Sequence, residues 1–340
     1  MSSIFASFSL LALAVPVILA ILPLFLPAHW SEPYSWWDPL ILNRPLAGGE
    51  ATTRWTNMGY WEGTEEFADA NEQLARKLLD FSRARKGGNV LDLAHGAGES
   101  LALHLSQSPP PAYLGALTSN PSDTSLAQKM ISERNLNTST PIEWFTTSAS
   151  FKPTSDIHHP LNPMRGYLGE PQTHLTRYED EDETQQSSQD DVGPRKYDLI
   201  YILDAIYHFP PSLEGFIKSI LPTLKSGGVV AYTDILPPQN LNIVTRLIVA
   251  RLFGVPVDNL RRDWDLETYK RVLQEIGYVG VEVEDWSDHV WSGISENLRK
   301  RRGVLGLLSR GFRSAERSGW KFVAVRAEAP ELSGDAGEST

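Results

Sequence analysis

Residues 88–100 read GNVLDLAHGAGES, and their reading decides the fold. An apolar run closes on Asp92, and Gly96 and Gly98 follow two residues apart. A strand that enters a glycine-rich turn and then a helix aims backbone N–H groups outward. A ligand can approach such a turn closely because glycine has no Cβ. A dinucleotide loop needs a third glycine three residues after Gly98, where this chain has Leu101. No Gly-Lys-Ser/Thr follows to cradle phosphate, and Ser100 lies outside the Gly-x-Ser-x-Gly pattern of a hydrolase elbow. Two readings remain: a loop for a different small ligand, or an ordinary strand-to-helix turn.

Around this loop, strand-like runs alternate with helical ones. The strands read NVLDLA, AYLGALT, IEWFTT, YDLIYIL, VVAYTDI, VGVEVEDW and WKFVAVRA. Helical spacing recurs through Phe67, Leu74, Leu78 and Phe81, and again over 122–134, 213–224 and 266–276. Strands separated by helices predict an α/β fold, with parallel crossover units in one sheet and helices on both faces. The last two strands are expected to form a hairpin-like edge despite the long basic stretch between them. Residues 151–195 are rich in proline, histidine and acid, and predict a flexible exposed insertion. The polar tail 330–340 is expected to fray.

The 340 residues are 41% hydrophobic, enough for a real core. Net charge is −11, but seven acids fall within residues 179–191, so the rest of the chain is near −4. That balance argues against nucleic acid as a partner. With no cysteine, disulfides, cysteine-ligated zinc and thiol catalysis are excluded. His158 and His159 lack further ligands nearby, so no metal site is expected.

Residues 1–28 contain no charged side chain, and Trp30, Tyr34, Trp36 and Trp37 follow directly. The run is long enough for a transmembrane helix, and the rings suit the headgroup level. A cleaved signal peptide would have a shorter apolar region and a basic start. We therefore expect a single-pass anchor (1–28), a linker (29–54), and a folded domain (55–329) on the cytosolic side of an endomembrane such as the endoplasmic reticulum. Two later segments also bear on membranes. Residues 239–256 form a very apolar helix, read either as a core helix or as a lid. The basic, leucine-bearing stretch 297–317 is read either as a solvated helix or as a surface resting on anionic lipid.

Asp92-Leu-Ala94-His-Gly96-Ala-Gly98 resembles the acid-x-Gly-x-Gly-x-Gly motif of class I S-adenosylmethionine-dependent methyltransferases, with Ala94 in place of the first glycine. TNMGYWEG (56–63), YDLIYILDAIYHFP (197–210) and LKSGGVVAYTDI (224–235) resemble segments of the small-molecule branch that includes sterol and tocopherol methyltransferases. This resemblance implies a Rossmann-like seven-stranded sheet and S-adenosyl-L-methionine as cofactor. It implies that the backbone at Ala94, Gly96 and Gly98 packs against the cofactor, with Asp92 acting nearby through water or backbone groups. Tyr60 would cover the cofactor, and Leu203 and Asp204 would line the methyl-donor side. The family's usual acids at the ends of strands two and three are missing. Thr118 or Ser119 stands at the first place, with Leu117 beside them, and Ser148 or Ala149 stands at the second.

His208, closing the fourth strand, is the candidate catalytic base, because an imidazole titrates near neutrality. The other reading is a histidine that only bonds backbone. His95 either caps the next helix or touches the cofactor. The expected function is methyl transfer to a lipophilic small molecule such as a sterol, prenyl-quinone or polyketide, with oxygen favoured as acceptor. The alternative is a degenerate, non-catalytic methyltransferase fold serving as a membrane-tethered scaffold.

Overall fold

In the computed structural model, residues 40–136, 139–165, 195–239, 241–260, 262–301 and 303–331 are described. The expected anchor, the acidic run 179–191 and nearly all of the expected tail lie outside them. Among the described residues no helix is long and apolar enough to cross a membrane.

Seven strands form one sheet: β1 (Asn89–Leu93), β2 (Tyr113–Thr118), β3 (Ile142–Thr146), β4 (Tyr197–Ile202), β5 (Leu224–Leu236), β6 (Val279–Asp285) and β7 (Lys321–Glu328). Their spatial order is β3-β2-β1-β4-β5-β7-β6. The first five are parallel, while β7 runs antiparallel to both β5 and β6. The final pair is thus adjacent and antiparallel, as the sequence suggests, with two helices joining it in place of a turn. Every residue of β2 and β4 is buried, as parallel strands covered on both faces must be.

The helices are α1 (Phe67–Ser82), α2 (Glu99–Leu105), α3 (Pro121–Glu133), α4 (Leu213–Ile220), α5 (Ile243–Phe253), α6 (Leu266–Ile276), α7 (Ser287–Arg301) and α8 (Gly303–Arg317). Local chemistry fixes several starts. Asn120 caps α3 by accepting the Ser122 N–H at 3.1 Å, with Pro121 in the first turn, and Asp265 caps α6 by accepting the Thr268 N–H at 2.7 Å. On one sheet face Leu74 and Leu78 of α1, Leu101 of α2, Ala127 of α3 and Trp291 of α7 meet Val90, Ala116 and Tyr201. On the other, Phe216 of α4 and Leu273 of α6 meet Leu91, Ile200 and Val325. Each fully buried leucine among these stabilises the fold by about 1.5–3 kcal/mol.

Three expectations change. Within residues 40–54, Leu42 and Asn43 are buried and the Leu46 and Arg54 N–H groups are held by Glu66 and Glu99, so part of the expected linker is structural while 47–50 are exposed. Asn43 holds both backbone groups of Trp55, accepting its N–H at 2.9 Å and donating to its carbonyl at 2.8 Å. Residues 151–165, the start of the expected flexible insertion, form packed turns with Leu161 fully buried in the core. Helix α5 is not a core helix: Ile243, Val244 and Leu247 are each at least 53% exposed.

Candidate active site

The chain order reverses between β1 and β4, so their C-terminal ends mark the topological switch point where open α/β sheets bind ligands. Leu93 of β1 is level with Leu117 of β2 and Ile202 of β4, which brings three strand exits to one edge. The glycine loop leaves β1 there. Its Ala94 N–H donates to the Leu117 carbonyl at 2.7 Å, and Gly98 N–H closes the turn on the His95 carbonyl at 3.0 Å. Ala94 and Gly96 are half-buried while His95, Ala97 and Gly98 are buried, so alternate residues face outward.

The two glycines have different work. A Cβ on Gly98 would stand 2.6 Å from the Ala127 Cβ, so this glycine lets α2 and α3 pack closely. A Cβ on Gly96 would meet one atom within 4 Å, Thr56 Oγ1 at 3.4 Å, and otherwise open space. That open cradle fits a ligand lying against the backbone. Ala94 adopts φ 61°, a left-handed conformation in which glycine is easier.

His95 does not cap α2. Its Nδ1 lies 2.8 Å from the Gly96 carbonyl, so that nitrogen carries the proton, and Nε2 is left buried with no protein partner. Burial pushes this imidazole down to about 4, which keeps it neutral. The ring packs edge-on against Trp144 of β3.

Several predicted contacts are redirected. Asp92 is buried beneath the loop, with neither carboxylate oxygen hydrogen-bonded and His104 Nε2 at 3.6 Å. Asp204 does not face outward either. Its Oδ2 accepts the Met58 N–H at 2.7 Å and its Oδ1 accepts the Tyr207 hydroxyl at 2.9 Å, so it braces segment 56–63 against the β4 exit. Tyr60 is turned away from the loop: its ring stacks on His289 at 4.5 Å and lies under the Lys77 ammonium. It lines a groove of about 640 Å³ together with Trp286 and Glu284, which contains no residue of the glycine loop. The member of that segment that reaches the loop is Thr56.

Leu203 remains at the switch point, half-buried and packed beside Met58. At the β2 exit Thr118 is buried, with its hydroxyl accepting the Asn120 N–H at 3.3 Å, while Ser119 is exposed. Asp123, in the first turn of α3, reaches the Thr118 and Asn120 side chains. Burial raises its pKa while those hydrogen bonds lower it, with a net rise. This acid was missed because it lies on the helix rather than at the strand end; its place directly after the Asn120-Pro121 cap is the signal for it. Ser148 is exposed; its carbonyl accepts His159 Nε2 at 2.8 Å and its hydroxyl accepts the Ser150 N–H at 3.2 Å, so both groups serve the local turn.

His208 closes a helical turn (Ile206–His208) just beyond β4, its ring tilted 49° against that of Tyr207 at 4.4 Å. Its Nδ1 faces the Gly254 carbonyl at 3.5 Å, a long contact that a proton on Nδ1 would satisfy. Burial lowers its pKa, so it is neutral at physiological pH. Asn259 fixes this corner: its amide donates to the Tyr207 carbonyl at 3.0 Å and its Oδ1 accepts the Leu213 N–H at 2.7 Å.

A family model described as a methyltransferase domain matches residues 65–283. Erythromycin 3''-O-methyltransferase of Saccharopolyspora erythraea is 25% identical over 260 residues, covering 71% of this chain and 68% of that protein. In fold, the chain is similar to the cyclopropane synthase MmaA2 of Mycobacterium tuberculosis (TM-score 0.57, 11% identity, 89% of this chain and 99% of that one). It is also similar to geranyl diphosphate C-methyltransferase of Streptomyces coelicolor A3(2) (TM-score 0.53, 12% identity, 78% and 79% covered).

Proposed function

This chain belongs to the class I S-adenosylmethionine-dependent methyltransferase superfamily, and we propose that it methylates an oxygen of a lipophilic small molecule at a membrane. The bound cofactor supplies a methyl group on a sulfonium sulfur, already activated for in-line displacement. The chain's own task is to align the acceptor and, for a hydroxyl, to take up the proton it loses. Gly96 and Ala94 would hold the cofactor through their outward backbone, and Ser119 and Asp123 would offer it hydroxyl and carboxylate groups at the β2 exit.

The observation that carries the oxygen reading is His208, an imidazole just beyond β4 whose Nδ1 faces the Gly254 carbonyl and whose pKa burial lowers, so that Nε2 would be the nitrogen able to take a proton. A hydroxyl needs such a base, whereas a free amine already presents its lone pair. Kinship with an O-methyltransferase supports the same choice. The exposed Ile243, Val244 and Leu247 of α5, whose C-terminal Gly254 covers His208, support an apolar acceptor. The uncharged run 1–28 supports a single-pass anchor, with the domain facing cytosolic cofactor from an endomembrane.

The test is transfer of labelled methyl from S-adenosylmethionine to a panel of apolar alcohols, phenols and amines by the full chain in micelles. Labelled methyl ethers are expected, and labelling confined to amines would sink the oxygen reading. His208→Ala is expected to lower turnover by about 10²–10⁴ while leaving affinity for S-adenosylhomocysteine unchanged. Unaltered turnover removes His208 from the chemistry.

A further inference from the structure

We propose that the buried ion pair of Asp234 and Arg262 is the positioning unit of His208, fixing the backbone on both sides of that histidine to β5. This rests on the reading of His208 as the base and names what holds it in place. Tyr232 of β5 is level with Ile202, the last residue of β4. Asp234, two residues on and on the same face of the sheet, therefore stands at the exit from which the His208 turn departs. Both partners are buried, Asp234 completely. The Arg262 guanidinium donates to Asp234 Oδ2 at 2.6 Å and to Oδ1 at 3.2 Å. The same carboxylate accepts the Ile235 N–H at 2.8 Å and the Tyr269 hydroxyl of α6 at 2.9 Å. The guanidinium also lies over the rings of Trp264 and Tyr269, at 5.2 and 5.9 Å.

A separate branch leads from this pair to the histidine. Arg262 Nε donates to the Asn259 carbonyl at 2.9 Å, in the turn Val257–Leu260. The Asn259 amide in turn donates to the carbonyls of Tyr207 at 3.0 Å and Phe209 at 3.4 Å, the residues on either side of His208. Val255 and Leu260 share one apolar cluster with Tyr207, and Gly254, just before them, faces His208 Nδ1. Arg262 thus joins β5 to the segment that both brackets and faces the histidine. A buried ion pair adds little net stability over apolar residues of the same volume, because each charge loses its hydration. What the planar guanidinium fork does supply is fixed geometry, which the point charge of a lysine does not. Proton uptake from an acceptor needs that geometry, since a displacement of about 1 Å can lower a rate by about 100-fold.

The test is nitrogen NMR of the full chain in micelles with isotope-labelled histidine, His208→Ala assigning the His208 signals. Two variants remove the link. Arg262→Lys keeps the charge and loses the fork, while Asp234→Leu combined with Arg262→Met removes both charges and leaves neither unpaired. The wild-type ring is expected to show one tautomer, with the proton on Nδ1, and both variants a mixture of the two. On an acceptor that the wild type labels, kcat should fall about 10–100-fold with KM and S-adenosylhomocysteine affinity nearly unchanged. Where His208→Ala lowers turnover, unchanged His208 signals or an unchanged kcat in a folded variant overturns the proposal. Loss of folding in both variants overturns it too, because the pair would then be a requirement of the fold alone. Intact turnover in His208→Ala overturns the base reading instead, and shifted signals in the two variants would still show the positioning.

Discussion

Gly98 and Asp92 show how single residues set this loop. Gly98→Ala would drive a Cβ to 2.6 Å from the Ala127 Cβ at φ 99°. We expect a loss of about 2–4 kcal/mol in urea denaturation, combining overpacking with left-handed strain. Asp92 and His104 are buried together, and burial raises the carboxyl to about 7 and lowers the imidazole to about 3. Between roughly pH 4 and 6.5 the folded chain keeps a proton on Asp92 that the unfolded chain has lost, so this group makes stability fall as pH rises. His104 acts in the opposite sense: its contribution is present above its ordinary value near 6.5 and is lost as pH falls toward 3. The two slopes oppose each other. Asp92→Asn leaves His104 alone, so stability should climb with pH across this window by up to about 1.4 kcal/mol per unit. A slope equal to the wild type's would contradict that pairing.

At the scale of elements, the glycine loop is held by a segment that sequence patterns leave as linker. Glu99, at the start of α2, accepts the Arg54 N–H at 2.9 Å and pairs with both guanidinium nitrogens of Arg134, which also reaches the Thr52 carbonyl. This clamp draws residues 52–56 across the loop. Glu99→Ala should speed amide exchange at Arg54 and through 56–58 while leaving β1 and β4 protected; unchanged exchange would show that the clamp is dispensable. The strands and most helices were legible because apolar periodicity and caps such as Asn120-Pro121 are local signals. The clamp was not, because an ion pair between residues 35 apart leaves no periodic trace. Tyr60 and Asp204 were misplaced for a related reason. A motif gives their order along the chain, but the partners that turn them, His289 for Tyr60 and the Met58 N–H for Asp204, are set by tertiary packing.

For the whole molecule, the glycine loop and His208 gather at one edge of the sheet, where the β1 and β4 exits meet. Segment 52–58 is tied there by Asp204 and Glu99, while Gly254 after α5 faces His208 and Asn259 bonds the carbonyls of Tyr207 and Phe209 on either side of it. The exposed apolar residues of α5 and α8 belong to two elements joined through Trp320, which packs in the clusters around both. The parallel crossover units could be anticipated from the alternation of strands and helices, but their order in the sheet and the outward apolar faces could not, since apolar spacing alone does not distinguish a core helix from a lid.

Gly96 tests the site most directly, because its outward side meets only Thr56 and open space. Calorimetric titration of the full chain with S-adenosylhomocysteine, wild type against Gly96→Ala, separates ligand contact from folding. The wild type should bind at one site, and the added methyl should weaken binding at least about tenfold, or 1.4 kcal/mol, while the left-handed strain at φ 53° lowers stability by about 1–2 kcal/mol, which Tm reads separately. No binding by the wild type, or equal binding by both proteins, would contradict a cofactor resting on this loop.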